Sequence, residues 1–267
     1  MHPNLISLGH FHIATYGFLV ALGMLLGLTI VLHLSKKQHL DPDEMWNLCG
    51  LVILAGIIGS KALYIITDWG YYSAHPGEIF SLGTLQAGGV FSGGLVLALG
   101  TAIWYLRKHQ ISFLKAADVI APGLALGHAV GRLGCFSAGC CYGKPTNEPW
   151  GVVFTNPLAN AIVGTPLGVR LHPTQLYEAF AELVNFFVLY WVVTKKKKFE
   201  GQAIGLYMVM YGIERYVIEF FRGDPGRGNI WGVMSGTQLI SIFLVIAGAI
   251  IWMVRIPMRA PVKAAAH

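Results

Sequence analysis

Tyr211, Arg215, Glu219 and Arg222 follow one another at steps of four, four and three, the spacing of a single α-helical face. Two arginines on one face can grip an oxygen anion through planar, two-point hydrogen bonding, and phosphate suits that geometry. A blander arrangement is also open, a ladder in which Arg215 pairs with Glu219 and Glu219 with Arg222 simply to specify packing. A second stripe, Gln175, Glu178, Glu182 and Asn185, has the same periodicity and the opposite charge. It begins just after His172-Pro173, and proline suits the first turn of a helix. Facing stripes of opposite sign imply a polar cavity between their helices, or carboxylates that only neutralise the arginines. His172 taken alone reads as a structural residue.

Further candidates lie upstream. Arg132 stands one turn after His128 and just before the turn-prone run GCFSAGCCYGKPT. Glycines 123, 127 and 131 form a small-xxx-small ladder that admits a close helix or lipid chain. The stretch from Gln86 to Leu95 places Gly88, Gly89, Gly93 and Gly94 around Ser92, so the backbone there can approach another group closely. His10, His12 and Tyr16 precede or open the first apolar block, where aromatic anchoring at a membrane interface is the ordinary role. Cys135, Cys140 and Cys141 admit three readings: a disulfide, apolar filling, or a thiolate or metal site completed by His128. Adjacent Cys140-Cys141 lacks the usual CxxC zinc spacing, so disulfide or packing is preferred and no metal or cofactor is expected.

The elements that must position these residues follow from composition. In 267 residues, 55% are hydrophobic and only 12% charged, about half the ~25% charged fraction of soluble domains. With a mean hydropathy of +0.58, this excludes a soluble enzyme, a disordered chain and a nucleic-acid binder. A spanning helix needs ~20 mostly apolar residues, and seven blocks meet that test, near 13–34, 46–67, 86–106, 114–133, 174–194, 202–221 and 236–254. The expected fold is therefore an all-α polytopic membrane protein with seven transmembrane helices. It forms one domain over 1–267, with an extracytoplasmic loop segment at 134–173 between helices 4 and 5 that is read as a small cap or an embedded hairpin.

No signal peptide is expected, because the first residues lack Lys and Arg and lead into a long apolar block. No internal repeat is evident. Lys36, Lys37, Arg107, Lys108, Lys115, Lys195 to Lys198, Arg255, Arg259 and Lys263 are twelve of the nineteen basic residues and fall on alternate connections. The positive-inside tendency then puts the N-terminus outside and the C-terminus in the cytoplasm. A cation at Arg132, on the outer side, runs against that tendency and argues for local function.

The run Gly131-Arg132-Leu133-Gly134-x-Phe136 followed by Gly143, then His172-Pro173-Thr174-Gln175-Leu176-Tyr177-Glu178, then Tyr211-Gly212-x-x-Arg215-x-x-x-Glu219-Phe220-x-Arg222, resembles the prolipoprotein diacylglyceryl transferases. Tyr16-Gly17, Ser92-Gly93-Gly94-Leu95 and Asp118-x-x-Ala121-Pro122 extend the likeness in order along nearly the whole chain. The resemblance implies a seven-helix enzyme of the bacterial inner membrane. It implies transfer of the diacylglyceryl group of phosphatidylglycerol to the lipobox cysteine of a preprolipoprotein, forming a thioether and releasing glycerol phosphate. Partners are then that lipid, the signal-peptide region of the acceptor and the bilayer, without nucleic acid.

Carried onto this chain, the resemblance puts Arg132, Arg215 and Glu219 in the catalytic set. It gives Tyr16, Gly93, Gly94, Gly143, His172, Gln175, Glu178, Tyr211 and Arg222 to substrate binding. The pattern is broken at Ser92, where the family has His, at Cys135 and Cys140, where it has Asn and Glu, and at Lys61, where Arg is usual. Ser92 keeps its place in the catalytic set, and His128, Glu219 and His172 are candidate substitute bases. Two other readings stay open, a relative with the same donor and a different acceptor, and a non-catalytic membrane protein that binds or carries lipid.

Overall fold

A computed structural model describes residues 4–8, 11–81, 83–84, 89–224, 229–230 and 233–255. His10, Gln86, Gly88, Arg259 and Lys263, singled out above, lie outside the described residues. The long helices are α1 (Thr15–Lys37), α2 (Pro42–Thr67), α4 (Phe91–Lys108), α5 (Phe113–Ala138), α7 (Thr174–Trp191), α8 (Gln202–Glu219) and α9 (Gly236–Arg255). Short helices α3 (Trp69–Ala74) and α6 (Pro157–Val163) lie between them, and α7 runs on through a π-helical turn at Val192–Lys196.

Each predicted block thus has its helix. Among the described residues, five of these helices are both long and apolar enough to cross a membrane. The two that miss the standard are α4, with Arg107 and Lys108 in its last turn, and α8, which carries Glu214, Arg215 and Glu219.

Boundaries differ from the prediction where tertiary contacts act. The fourth block was expected to end at 133, yet α5 continues to Ala138 and breaks at Gly139, whose φ of +82° suits only glycine comfortably. Gly134 stays helical because α1 lies against it: a Cβ there would sit 3.2 Å from the Tyr16 carbonyl oxygen. The described helix of the third block begins at Phe91, and Val90 N–H donates to Ser60 O instead of beginning a helical ladder; residues 86–88 of that block lie outside the described residues. Short antiparallel pairs also accompany the helices: β1 (Asn4–Leu8) with β2 (Phe11–Ala14), β3 (Val152–Val153) with β4 (Arg170–Leu171), and β5 (Asn229–Ile230) with β6 (Met234–Ser235).

Burial is inverted relative to a protein dissolved in water. Leu25, Phe180, Phe187 and Phe243 are exposed, while Asp118, Gln175, Glu178, Glu182, Asn185 and Arg215 are buried. Apolar exteriors with polar side chains inside are what a hydrocarbon solvent selects.

The chain divides into two compact units, Met1–Leu34 with Ala117–His267, and Ser35–Ala116. In the first, the glycine ladder of α5 meets a matching pair on α1. A Cβ on Gly123 would lie 2.5 Å from Gly27 O, and one on Gly23 would lie 2.7 Å from Gly127 O, so the two backbones touch. Gly131 faces open space.

Also in this unit, Asp118 of α5 organises the start of α8. Its Oδ1 accepts from Ala203 N and Ile204 N at 2.8 and 3.0 Å, and its Oδ2 accepts from Gly201 N at 2.8 Å and pairs with Lys197 Nζ at 3.1 Å. Orphan donors of a helix N-terminus are thereby satisfied by a distant carboxylate.

The segment after α5 forms a small cap with its own apolar cluster of Tyr142, Phe154 and Leu171, against which Phe136 and Val152 pack. Its backbone is tied at Gly143, where the N–H donates to His172 O at 2.9 Å, and at Lys144, whose N–H donates to Phe221 O at 2.8 Å. In the second unit, α2 and α4 pack through Gly56 and Gly59 against Gly94 and Gly93, and Lys61 Nζ donates to Thr84 O at 2.8 Å.

Candidate active site

Three helices of the first unit, α5, α7 and α8, deliver polar side chains to one place. Arg132 Nη2 pairs with Glu178 Oε1 at 2.5 Å, and its Nε donates to His128 Nε2 at 3.1 Å. That acceptor role leaves the imidazole proton on Nδ1, which faces Glu182 Oε1 at 2.9 Å. Glu182 Oε1 also accepts from the Tyr207 hydroxyl at 3.1 Å. With both ring nitrogens engaged, His128 holds the Arg132 guanidinium in place. Tyr211 packs beside the imidazole, with ring centroids 5.6 Å apart, and beside Tyr207 at 5.8 Å.

Arg215 Nη2 pairs with Glu219 Oε2 at 3.1 Å, as the helical spacing predicts. Its Nη1 is buried and donates to nothing among the described residues. Glu178 Oε2, Glu182 Oε2, Glu214 Oε1 and Gln175 Oε1 are buried acceptors in the same condition. Buried polar atoms are nearly always paired, so a set of one donor and several acceptors makes this a candidate place for a polar ligand or ordered water. Its complement is an anion at Arg215 and hydroxyl donors at the carboxylates.

The second half of the predicted ladder is corrected. Arg222 pairs with Asp224, Nε to Oδ1 and Nη2 to Oδ2, both at 2.8 Å. The reason is that α8 ends at Glu219, and Arg222 leaves the helical face to bridge with Gly143.

Beside these groups sit three free thiols. Cys135 is on the last turn of α5, Gly139 turns the chain, and Cys140 and Cys141 follow, the latter at φ +64°. The sulfurs all lie within 4.8 Å of one another. Gln175 Nε2 donates to Cys140 O at 2.6 Å and Thr174 Oγ1 to Cys141 O at 2.7 Å, so the first turn of α7 clamps the loop. Tyr16, at the start of α1, is close enough to feel both the thiols and Arg132. Hydrogen bonds from the Cys135 and Cys140 thiols, aided by Arg222 and Arg132, hold the Cys141 thiol well below the usual range against the effect of burial. Hydrogen bonds with the Cys135 and Cys141 thiols, together with burial, push Cys140 up.

The structure thus brings together Arg132, His128, Glu178, Tyr211, Arg215 and Glu219, with Gln175 and Tyr16 at the thiols. Other residues expected at the substrate make contacts of their own. His172 Nδ1 meets the Tyr177 hydroxyl at 3.1 Å, which accepts from Trp150 Nε1 at 2.8 Å, tying it to the cap. Gly143 is required by close backbone approach, since a Cβ would lie 2.7 Å from both His172 O and Phe221 O. Ser92 is an exposed residue of the second unit, where Gly93 and Gly94 pack on α2.

Tyr207 and Glu214 were not singled out from the sequence. They sit four residues before and three after Tyr211, so the same helical stepping finds them. Asn185 Nδ2 donates to Glu214 Oε2 at 2.9 Å, joining the two stripes directly.

The sequence profile of the prolipoprotein diacylglyceryl transferase family matches residues 3–254 of the chain. A phosphatidylglycerol--prolipoprotein diacylglyceryl transferase of Clostridium tetani is 38% identical over 253 residues, covering 94% of this chain and 97% of its own length. A protein of Clostridium perfringens carrying the same name with the suffix 2 is 36% identical, with 90% of each chain covered. One from Francisella tularensis subsp. mediasiatica is 33% identical, covering 94% of this chain and 92% of the relative.

Proposed function

The chain belongs to the prolipoprotein diacylglyceryl transferase family, and from that premise we propose that it moves the diacylglyceryl group of phosphatidylglycerol onto the thiol of a lipobox cysteine in a preprolipoprotein. In this reaction the thiol gives its proton to a base, and the thiolate sulfur forms a bond to the glycerol C3 carbon as the C–O bond to phosphate breaks. The electron pair leaves on the phosphate oxygen, and glycerol phosphate departs. Donors aimed at that developing charge lower the barrier.

The observation that carries the site assignment is the buried, unpaired Nη1 of Arg215 among buried, unpaired carboxylate oxygens. A phosphate answers the first and the glycerol hydroxyls of the headgroup answer the second. Arg132 and Arg215 are the catalytic cations, Glu219 orients Arg215, and His128 with Glu178 positions Arg132. Tyr16, Tyr211 and Gln175 line the substrate side.

Seven spans in one transmembrane domain, an outside N-terminus, a cytoplasmic C-terminus and a bacterial inner-membrane location complete the reading. Their support is the alternation of basic connections and the 18-residue length of α4 and α8, about 27 Å at ~1.5 Å per residue.

The test is mass spectrometry of a lipobox peptide incubated with the purified protein and phosphatidylglycerol, with Arg132→Ala alongside. A diacylglyceryl mass gain on the cysteine, absent in the variant, is expected. No gain from folded protein, while another family member is active in parallel, overturns the proposal.

A further inference from the structure

Three thiols converge where a polar ligand site adjoins a cap, and their surroundings are not those of apolar filler. Cys135 lies three residues after Arg132 on α5 and therefore on nearly the same helical face. Arg132 and Arg222 both lie near enough to the Cys141 sulfur to interact with its charge, and the Tyr16 phenol stands beside the trio. Packing alone does not bring two guanidinium groups to one thiol of a trio.

The backbone is arranged for convergence as well. Cys141 occupies the left-handed region at φ +64°, uncommon for any residue but glycine, asparagine or aspartate. Strain of that kind persists only where the surroundings over-determine it, and the Thr174 and Gln175 side chains grip the carbonyls of Cys141 and Cys140. Thr165 Oγ1 adds a bond to Gly139 O at 2.9 Å.

The sulfurs lie within 4.8 Å of one another. Tetrahedral zinc, with Zn–S near ~2.3 Å, needs its sulfurs about 3.8 Å apart, a closure that side-chain rotation supplies. A disulfide uses two thiols and leaves the third, whereas one soft cation uses all three. Zinc with three thiolates carries one net negative charge, and Arg132 and Arg222, although paired with Glu178 and Asp224, lie near enough to the Cys141 sulfur to interact with it. Among the described residues the group offers three ligands, not four, and all three cysteines are only half-buried. Three protein ligands with an open position is the pattern of a reactive zinc, while closed structural sites supply four.

We propose that Cys135, Cys140 and Cys141 bind one zinc ion as three thiolates and present its open fourth position to the sulfur of the acceptor cysteine. The second half rests on the transferase reading above. On binding, the acceptor thiol releases its proton to solvent and coordinates as the thiolate, since zinc deprotonates a coordinating thiol. A lone pair of that sulfur forms the S–C bond as the C–O bond breaks and its electron pair leaves on the phosphate oxygen. The thioether formed is uncharged and a weaker ligand, so the product leaves and the position reopens.

The experiment uses full-length protein purified in detergent under reducing conditions without chelator. Metal is measured by elemental mass spectrometry, followed by Co(II) exchange and absorption spectroscopy. About one zinc per chain is expected, retained in Cys49→Ser and lost from Cys135→Ser, Cys140→Ser and Cys141→Ser proteins that still elute as monodisperse species. The Co(II) protein should show thiolate-to-metal charge transfer that strengthens with a lipobox peptide and not with its Cys-to-Ser analogue. No zinc after incubation with excess Zn2+, zinc unchanged in all three variants, copper instead of zinc, or a disulfide within the trio overturns the site. An unchanged spectrum with peptide overturns the acceptor role. Full transfer by chelator-stripped protein sinks this inference and leaves the transferase reading standing. Zinc with the peptide response but no transfer sinks the transferase reading and leaves the site.

Discussion

Replacing Asp118 with Asn tests whether one carboxylate assembles the helix that carries Tyr211, Arg215 and Glu219. Asp118 is fully buried and satisfies three backbone donors at 2.8 to 3.0 Å, with Lys197 Nζ at 3.1 Å on the same oxygen as Gly201 N. Asn keeps one acceptor oxygen, enough for Ala203 and Ile204, and turns an NH2 toward Gly201 N–H and the Lys197 ammonium. The loss is one charge-assisted hydrogen bond, about 1.5–3 kcal/mol. To this is added the ion pair, discounted to about 1 kcal/mol because the Lys197 side chain remains 12% exposed and can turn to water.

A destabilisation of about 2.5–4 kcal/mol is therefore expected. Unfolding in mixed micelles by SDS titration, followed by circular dichroism, measures it against wild type. Asp118→Glu should not rescue, because a longer side chain cannot reproduce a three-donor fit at these distances. If Asp118→Asn unfolds within about 0.5 kcal/mol of wild type, the range of an ordinary surface change, the capping argument is wrong.

Other substitutions probe the site and its frame. Arg132→Ala and Arg215→Ala should each cut transfer to a lipobox peptide by at least about 10²–10³-fold, the scale for losing one donor to a developing oxyanion, while membrane insertion stays normal. A near-wild-type rate in either removes that arginine from the mechanism. Gly123→Ala places a methyl 2.5 Å from Gly27 O and 2.8 Å from Val31 Cγ2, so SDS unfolding should show a loss of about 1–3 kcal/mol from overpacking; no loss means that α1 and α5 do not touch backbone to backbone. Ser92→His should keep or raise the transfer rate if the residue before Gly93 serves the chemistry, and a fall in rate shows that proton removal has been rebuilt elsewhere.

Periodicity along the chain was sufficient for some features and silent on others. The placement of the long helices was legible because a long apolar run in a hydrocarbon solvent must satisfy its backbone polar groups within the segment, which a helix does. The stripes on α7 and α8 were legible for the related reason that a polar residue in such a helix must turn inward, and a 3.6-residue repeat says which residues turn together. The Arg215 to Glu219 pair is a local consequence of that repeat, and Tyr207, not singled out from the sequence, lies on the same four-residue step from Tyr211.

Contacts between distant segments decided the rest. Gly134 reads as a helix stop until Tyr16 packs on it, and the true stop at Gly139 depends on a left-handed turn held by Thr165. Arg222 reads as the end of a ladder until α8 stops at Glu219 and the cap draws its backbone to Gly143. The third wall of the site, from His128 and Arg132, requires α5 to lie against α7, and the approach of three cysteines requires α7 to clamp the loop after α5. Spacing along a chain determines what shares a face; which faces meet is set by packing among segments far apart in sequence.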